Sequence, residues 1–158
     1  MQTTLPSEKL YERDFSAWAE EQAELLRQKQ FTQLDTAHLI EELEDMRSST
    51  RRELVRCLTI LLAHLLKWQY QPEHRSRSWE VTIQLQRSEI ADLLADNPSL
   101  RPQWSTFVER ARPKARKIAW GETGLDLTLF PLVSPYTQEQ LLDESYLPGA
   151  SAPHRPTI

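Results

Sequence analysis

From Leu39 onward the apolar or small residues of this sequence fall at 39, 43, 46, 50, 54, 58, 61, 65 and 68, with Thr50 the one polar member. Steps of three and four hold one face of a helix inward for about eight turns, and a strand, with its period of two, cannot carry them. A long central helix over about 36–70 is therefore the first expectation. Asp35 is placed to cap it, because a carboxylate there accepts from open backbone N–H groups and meets the positive end of the helix dipole. Pro72 is placed to end it. Unbroken, the helix would run about 52 Å at 1.5 Å per residue, long enough to leave room for a break or kink near Ser48-Ser49-Thr50.

The same periodicity marks three more helices. Residues 8–30 carry Tyr11, Phe15, Trp18, Leu25 and Leu26; residues 78–95 carry Trp79, Ile83, Ile90, Leu93 and Leu94, ended by Asn97-Pro98. Residues 99–120 carry Leu100, Trp104, Phe107, Val108, Ala111, Ala115 and Ile118, and Pro113 should kink or split that helix by removing a hydrogen bond and crowding the preceding turn. Thr137-Gln138-Glu139-Gln140 fits a capping box and predicts a short fifth helix. No stretch alternates as a strand. The expected fold is all-α: a bundle of four main helices plus a short C-terminal one, in a single domain over 1–148. Residues 149–158, small, polar and proline-rich, read as a disordered tail.

Composition narrows the function classes. At 39% hydrophobic and 27% charged, the 158 residues lie in the range of soluble globular proteins. Three glycines speak against glycine-rich phosphate loops, and the single Cys57 can form neither an internal disulfide nor a cysteine-rich zinc site. The most apolar run, Leu58 to Leu66, contains Thr59 and His64 and falls short of the roughly 18–20 residues needed to cross a bilayer. With no signal-peptide pattern at the start, a cytoplasmic protein of bacterial type, without a membrane partner, is expected. The net charge of −4 is unevenly laid out: −6 over residues 1–50, +6 over 51–120 and −4 over 121–158. Such segregation implies complementarity within the fold or between subunits.

Several blocks together carry a resemblance. They are Leu10-Tyr11-Glu12-Arg13-Asp14-Phe15-Ser16-Ala17-Trp18, Ile40-Glu41-Glu42-Leu43-Glu44-Asp45-Met46, the stretch from Leu62 through Glu73 with Arg75-Ser76-Arg77-Ser78-Trp79, and Ser134-Pro135-Tyr136-Thr137 with Gln140-Leu141-Leu142-Asp143. In this order, over about residues 8–148, the chain resembles the bacterial family catalogued as domain of unknown function number twenty-nine, common in cyanobacteria. The resemblance implies an all-helical fold. It brings no activity, ligand or catalytic residue with it, and Pro113 looks like a departure from the family pattern.

Four groups of side chains could carry chemistry. His38, Glu41, Glu42 and Asp45 are spaced to share a helical face, and Asp35 adds a fourth carboxylate, a set rich in metal-ligating atoms. The Glu-x-x-His pairs of a di-iron bundle are absent, however, and a solvated acidic face or a salt-bridge network to Arg75 and Arg77 accounts for the same residues. His64 falls on the stripe with Leu61 and Trp68 and reads as a core histidine bonded to a neighbouring helix, with an acidic partner on the first helix raising its pKa; the competing role is general base. Lys67, Trp68, Tyr70, Arg75, Arg77 and Trp79 alternate bases with aromatics, which suits either a turn anchor or stacking on single-stranded nucleic acid. Serines 76 and 78 are expected to cap the helix that follows. Arg110, Arg112, Lys114, Arg116 and Lys117, with Arg101 upstream, form the densest basic run and read first as a solvated helix.

The residues thus point to a non-enzymatic protein-interaction or regulatory module, with Glu41, Glu42, Asp45, His64, Arg75 and Arg77 as the candidate polar network. No nucleophile–base pair is placed by sequence, and no motif calls for a cofactor. Two other readings compete: nucleic-acid binding through 75–77 and 101–117, and a metal-dependent enzyme using Asp35, His38, Glu41, Glu42 and His64. A protein partner is expected, a homodimer is possible for helices this long and amphipathic, and nucleic acid is the less favoured partner.

Overall fold

The computed structural model describes residues 6–149. The chain forms two compact units that meet in sequence at Ser49 and Thr50. Among the described residues the fold is all-α, with six helices and no strand: α1 (Ser7–Arg13), α2 (Phe15–Arg27), α3 (Thr36–Tyr70), α4 (Arg77–Asp96), α5 (Trp104–Thr123) and α6 (Gln138–Leu142). None of them is long and apolar enough to cross a membrane. Of the tail expected at 149–158, only Gly149 lies within the described residues.

The first unit holds α1, α2 and the beginning of α3. The single helix expected over 8–30 is in fact two. Asp14 breaks it: its backbone is extended (φ −150°), and its carboxylate accepts from Ala17 N at 3.0 Å, so it caps α2 instead of continuing α1. α2 stops at Arg27 because Lys29 takes a left-handed backbone (φ 57°), and a 3-10 turn over Phe31–Gln33 leads into α3. α3 has the expected bounds, and no break occurs at Ser48-Ser49-Thr50.

The second unit is built on the rest of α3. Leu54, Leu58, Leu61 and Leu65 are fully buried, together with Ile83, Ile90 and Leu94 of α4 and Phe107, Ala111, Ala115 and Ala119 of α5. Each large apolar side chain removed from water contributes about 1.5–3 kcal/mol, and the three alanines, one turn apart, let α5 lie close. α5 begins at Trp104 rather than near residue 99, because Pro98 and Pro102 lack the donors an α-turn would use and the stretch between them winds as a 3-10 helix. Pro113 does not split α5. Its lost hydrogen bond is outweighed by packing on both sides, through Phe107 and Ala111 before it and Ala115 and Ala119 after it. Gly124, left-handed at φ 70°, closes the helix with its N–H on Trp120 O at 3.0 Å.

Ser76 caps α4 by accepting from Trp79 N at 3.2 Å, whereas Ser78, expected to share that role, lies inside the first turn. The capping box of α6 is present in both halves: Thr137 Oγ1 accepts from Gln140 N at 3.1 Å, and Gln140 Oε1 from Thr137 N at 3.0 Å. Between α5 and the end of the described chain there is little helix, and side chains hold the backbone instead. Arg116 donates to Phe130 O (3.1 Å) and Leu127 O (3.0 Å), and Gln84 donates to Glu144 O (2.6 Å). Arg87, only 2% exposed, donates to Leu141 O (3.0 Å) and Gln140 O (2.9 Å).

Candidate functional site

In the first unit an aromatic cluster settles against the opening turns of α3. Tyr11 stacks on the His38 ring with centroids 3.9 Å apart, and Trp18 meets Tyr11 edge-on at 4.9 Å. Beneath them lies Asp35, buried and fully engaged. One carboxylate oxygen accepts from Trp18 Nε1 (3.1 Å) and sits 2.7 Å from His38 Nδ1, while the other accepts from His38 N at 3.4 Å and so caps α3. Its own N–H donates to Gln22 Oε1 at 2.8 Å. Burial pushes the carboxyl pKa upward, but hydrogen bonds from His38 and Trp18 prevail and hold it below the ordinary carboxylate value. Because an ionised carboxylate only accepts, the hydrogen between Asp35 and His38 Nδ1 belongs to the imidazole.

One turn on, Tyr11 donates its hydroxyl to Glu42 Oε1 at 2.5 Å. That bond, then burial and the negative field of Glu42, Glu41 and Asp45, push the phenol up to about 12. The acidic face therefore does local work: Asp35 anchors the start of α3 and Glu42 ties α1 to it. Glu41 and Asp45 remain exposed.

Beside this acidic edge runs the first half of the apolar stripe, where several large side chains are more than half exposed. Ile40 is 57% exposed, Leu43 64% and Met46 65%, although Leu43 shares its azimuth with the fully buried Leu61 five turns later. The helical period placed Leu43 and Met46 on the inward face. The burial begins only at Leu54, in the second unit.

The other members of the expected network lie in the second unit. His64 is half-buried, with Nδ1 2.9 Å from Ile60 O, so its partner is the preceding turn of its own helix and not a neighbouring one. Burial, reinforced by the positive Lys67, lowers its pKa, the reverse of the rise expected from an acidic partner. Because a carbonyl only accepts, Nδ1 is the donor in this bond. Arg75 donates to Trp68 O (2.8 Å) and Pro148 O (3.4 Å), with its guanidinium over the Trp68 ring. Arg77, at the start of α4, lines a shallow groove with Val81, Gln84, Leu85 and Glu144. Lys67, one of the bases of the alternating segment, is buried: its ammonium pairs with Glu122 at 2.5 Å and lies 4.5 Å from the Trp79 ring centroid. Lys67, Trp68, Arg75 and Trp79 are thus engaged with one another, with Glu122 and with the backbone, and Tyr70 with the Phe130 ring, whereas Arg77 is exposed.

The basic run of α5 divides in two. Arg116 is taken up by loop carbonyls, whereas Arg110, Lys114 and Lys117 share one exposed face. Among the described residues, no three His, Cys, Asp or Glu side chains come together as metal ligands, so Asp35, His38, Glu41, Glu42 and His64 are not gathered on one ion.

The family described as Domain of unknown function DUF29 matches residues 10–147 of the chain. The chain belongs to DUF29. No curated protein and no solved structure matches it. Membership of DUF29 agrees with the blocks around Tyr11–Trp18, Ile40–Met46 and Leu62–Trp79, and it attaches no activity to any of them. What sequence reasoning missed in this DUF29 chain are the residues that hold its parts in place: Gln22, Lys67, Arg87 and Arg116. Each is a polar residue at a helical position next to the apolar set, and periodicity alone assigns such a residue to the surface.

Proposed function

We propose that this protein is a non-enzymatic protein-interaction module, working in the cytoplasm, and that the opening half of α3 is its docking face. One observation carries the reading. Ile40 and Leu43 form an apolar patch more than half exposed on a regular helix, in phase with Leu58 and Leu61, which the same helix buries completely further on. Scattered exposed leucines are ordinary, but contiguous ones on a rigid helix are how amphipathic helices meet partners. The polar groups beside the patch support the reading, since the carboxylates of Asp35 and Glu42 are engaged in shaping the face. Affinity purification of the wild-type protein and of an Ile40→Asp/Leu43→Asp variant from the source organism tests it. A partner recovered with the wild type and lost with the variant is expected. Recovery of the protein alone, or of the same partners by both, refutes it.

A second reading has one observation in its favour: the shared exposed face of Arg110, Lys114 and Lys117 could follow a phosphate backbone. It requires binding to RNA or DNA that weakens steeply with salt and is lost on reversing those three charges.

A further inference from the structure

In the second unit, a cleft of about 180 Å³ lies between α5 and the segment that runs into α6. We infer that it is a binding site for a free α-amino acid with an apolar side chain, such as leucine or phenylalanine. The inference concerns the second unit alone and does not depend on the docking face. α5 presents one side to the cleft: Trp104, Val108 and Arg112 stand on successive turns, with Glu109 beside them. The later segment contributes Val133, Tyr136 and Leu141. This wall is held in place without a ligand. Tyr136 donates its hydroxyl to Gln69 Oε1 at 2.7 Å, the capping box fixes the turn that follows, and Arg87 grips the carbonyl of Leu141 at 3.0 Å.

The polar groups at the cleft are those the fold leaves unengaged. Arg116 donates to Phe130 O and Leu127 O, whereas Arg112, one turn earlier and half-buried, makes no hydrogen bond or ion pair with any described residue. Glu109 likewise has no partner among the described residues, and no ion pair joins the two. Trp104, only 6% exposed, donates its indole N–H to no described residue. A guanidinium drawn part-way out of water without a partner is unfavourable, which fits a site whose counter-charge arrives with a ligand. Side chains three apart on a helix are neighbours, with Cβ atoms about 5–6 Å apart, so Arg112 and Glu109 offer opposite charges that one zwitterion can bridge. The carboxylate goes to Arg112, whose planar fork can hold both oxygens, and the ammonium to Glu109. The side chain of the amino acid lies against Trp104, Val108 and Leu141. A simple anion would face the like charge of Glu109, and inorganic phosphate would leave the apolar lining without contact. The size agrees: clefts for drug-sized ligands run to about 300–1,000 Å³, and this smaller one suits a smaller molecule.

Isothermal titration calorimetry of the whole protein with L-leucine and L-phenylalanine tests the inference. Glycine, and the amide and N-acetyl derivatives of each amino acid, serve as controls. At least one of the two amino acids should bind, and glycine, which has no side chain for the apolar lining, should not. The amide lacks the carboxylate and the N-acetyl derivative lacks the ammonium, so each should bind at least tenfold more weakly than the parent. Arg112→Met and Glu109→Gln should weaken the parent amino acid by at least as much, and Val108→Trp, which fills the cleft, should abolish binding. Circular dichroism should show the helix content of all three variants unchanged; Glu109 is exposed, so Glu109→Gln does not disturb the core. Failure of both amino acids to bind at up to about 10 mM overturns the inference. Binding that survives Glu109→Gln and Val108→Trp at full strength overturns it as well. Equal binding of glycine shows attraction to charge alone, and equal binding of the N-acetyl derivative shows that no ammonium is recognised; either result removes the amino acid as ligand.

Discussion

Leu43 and Leu61 sit eighteen residues apart on α3, five full turns, and so point in the same direction from the helix axis. They should nevertheless respond very differently to truncation. Leu61 is fully buried, so Leu61→Ala removes its transfer free energy and leaves a cavity, a loss of about 2–5 kcal/mol. Leu43 is 64% exposed, so only about a third of a leucine's burial is at stake. That amounts to about 0.5–1 kcal/mol, from which alanine's better helix propensity takes back a few tenths. Leu43→Ala should therefore lie between about 0 and 1 kcal/mol in urea denaturation followed by circular dichroism, with the denaturant slope unchanged. A loss of more than about 2 kcal/mol for Leu43→Ala would refute the reasoning, because it would mean that the face is covered in the isolated protein. A loss below about 1 kcal/mol for Leu61→Ala would refute the placement of the core.

Three further outcomes are expected. Arg87→Met leaves the carbonyls of Gln140 and Leu141 without their donor and should cost about 2–4 kcal/mol in the same urea experiment, with Arg87→Lys in between; a change within about 0.5 kcal/mol contradicts the role given to Arg87. Asp35, whose folded pKa is depressed, contributes stability that is present above the ordinary carboxylate pKa of about 4 and is lost as pH falls through the lower folded value. Asp35→Asn should accordingly be destabilised at neutral pH and show a flatter loss of stability on acidification, and an unchanged profile tells against the network. Tyr11 is held up to about 12 by Glu42, so Glu42→Gln should bring one tyrosine back toward 10 in an ultraviolet titration, a change that Tyr11→Phe removes.

Much of the fold was legible from periodicity and caps. The bounds of α3 follow from Asp35 and Pro72, and the capping box gives α6, because both signals are local and each has a backbone donor or acceptor to satisfy. The split at Asp14 was hidden because Tyr11, Phe15 and Trp18 keep helical spacing through it, and their rings remain in contact on either side of the break. Pro113 was overweighted for a related reason, since tertiary packing along Phe107, Ala111, Ala115 and Ala119 outweighs one missing hydrogen bond. The site was legible in part. The acidic face was visible as a pattern, but its division into engaged carboxylates (Asp35, Glu42) and exposed ones (Glu41, Asp45) depends on Trp18 and Tyr11, which are distant in sequence. Least legible was where burial along the stripe begins. A helical period says which residues share a face and nothing about what covers it.

Arg75, Arg87, Arg116 and Gln84 share one habit: in gripping the last quarter of the described chain, each reaches main-chain carbonyls, at Pro148, Gln140 and Leu141, Leu127 and Phe130, and Glu144. A carbonyl is the same whatever side chain its residue bears. The outer surface of this segment is therefore free to drift in sequence without loosening these attachments, although its buried Phe130, Tyr136 and Leu141 are not. Its length is another matter: deleting one residue would shift the carbonyls beyond it away from the groups that hold them. The part of the molecule with least regular structure is thus tolerant of substitution on its outer face and intolerant of gaps.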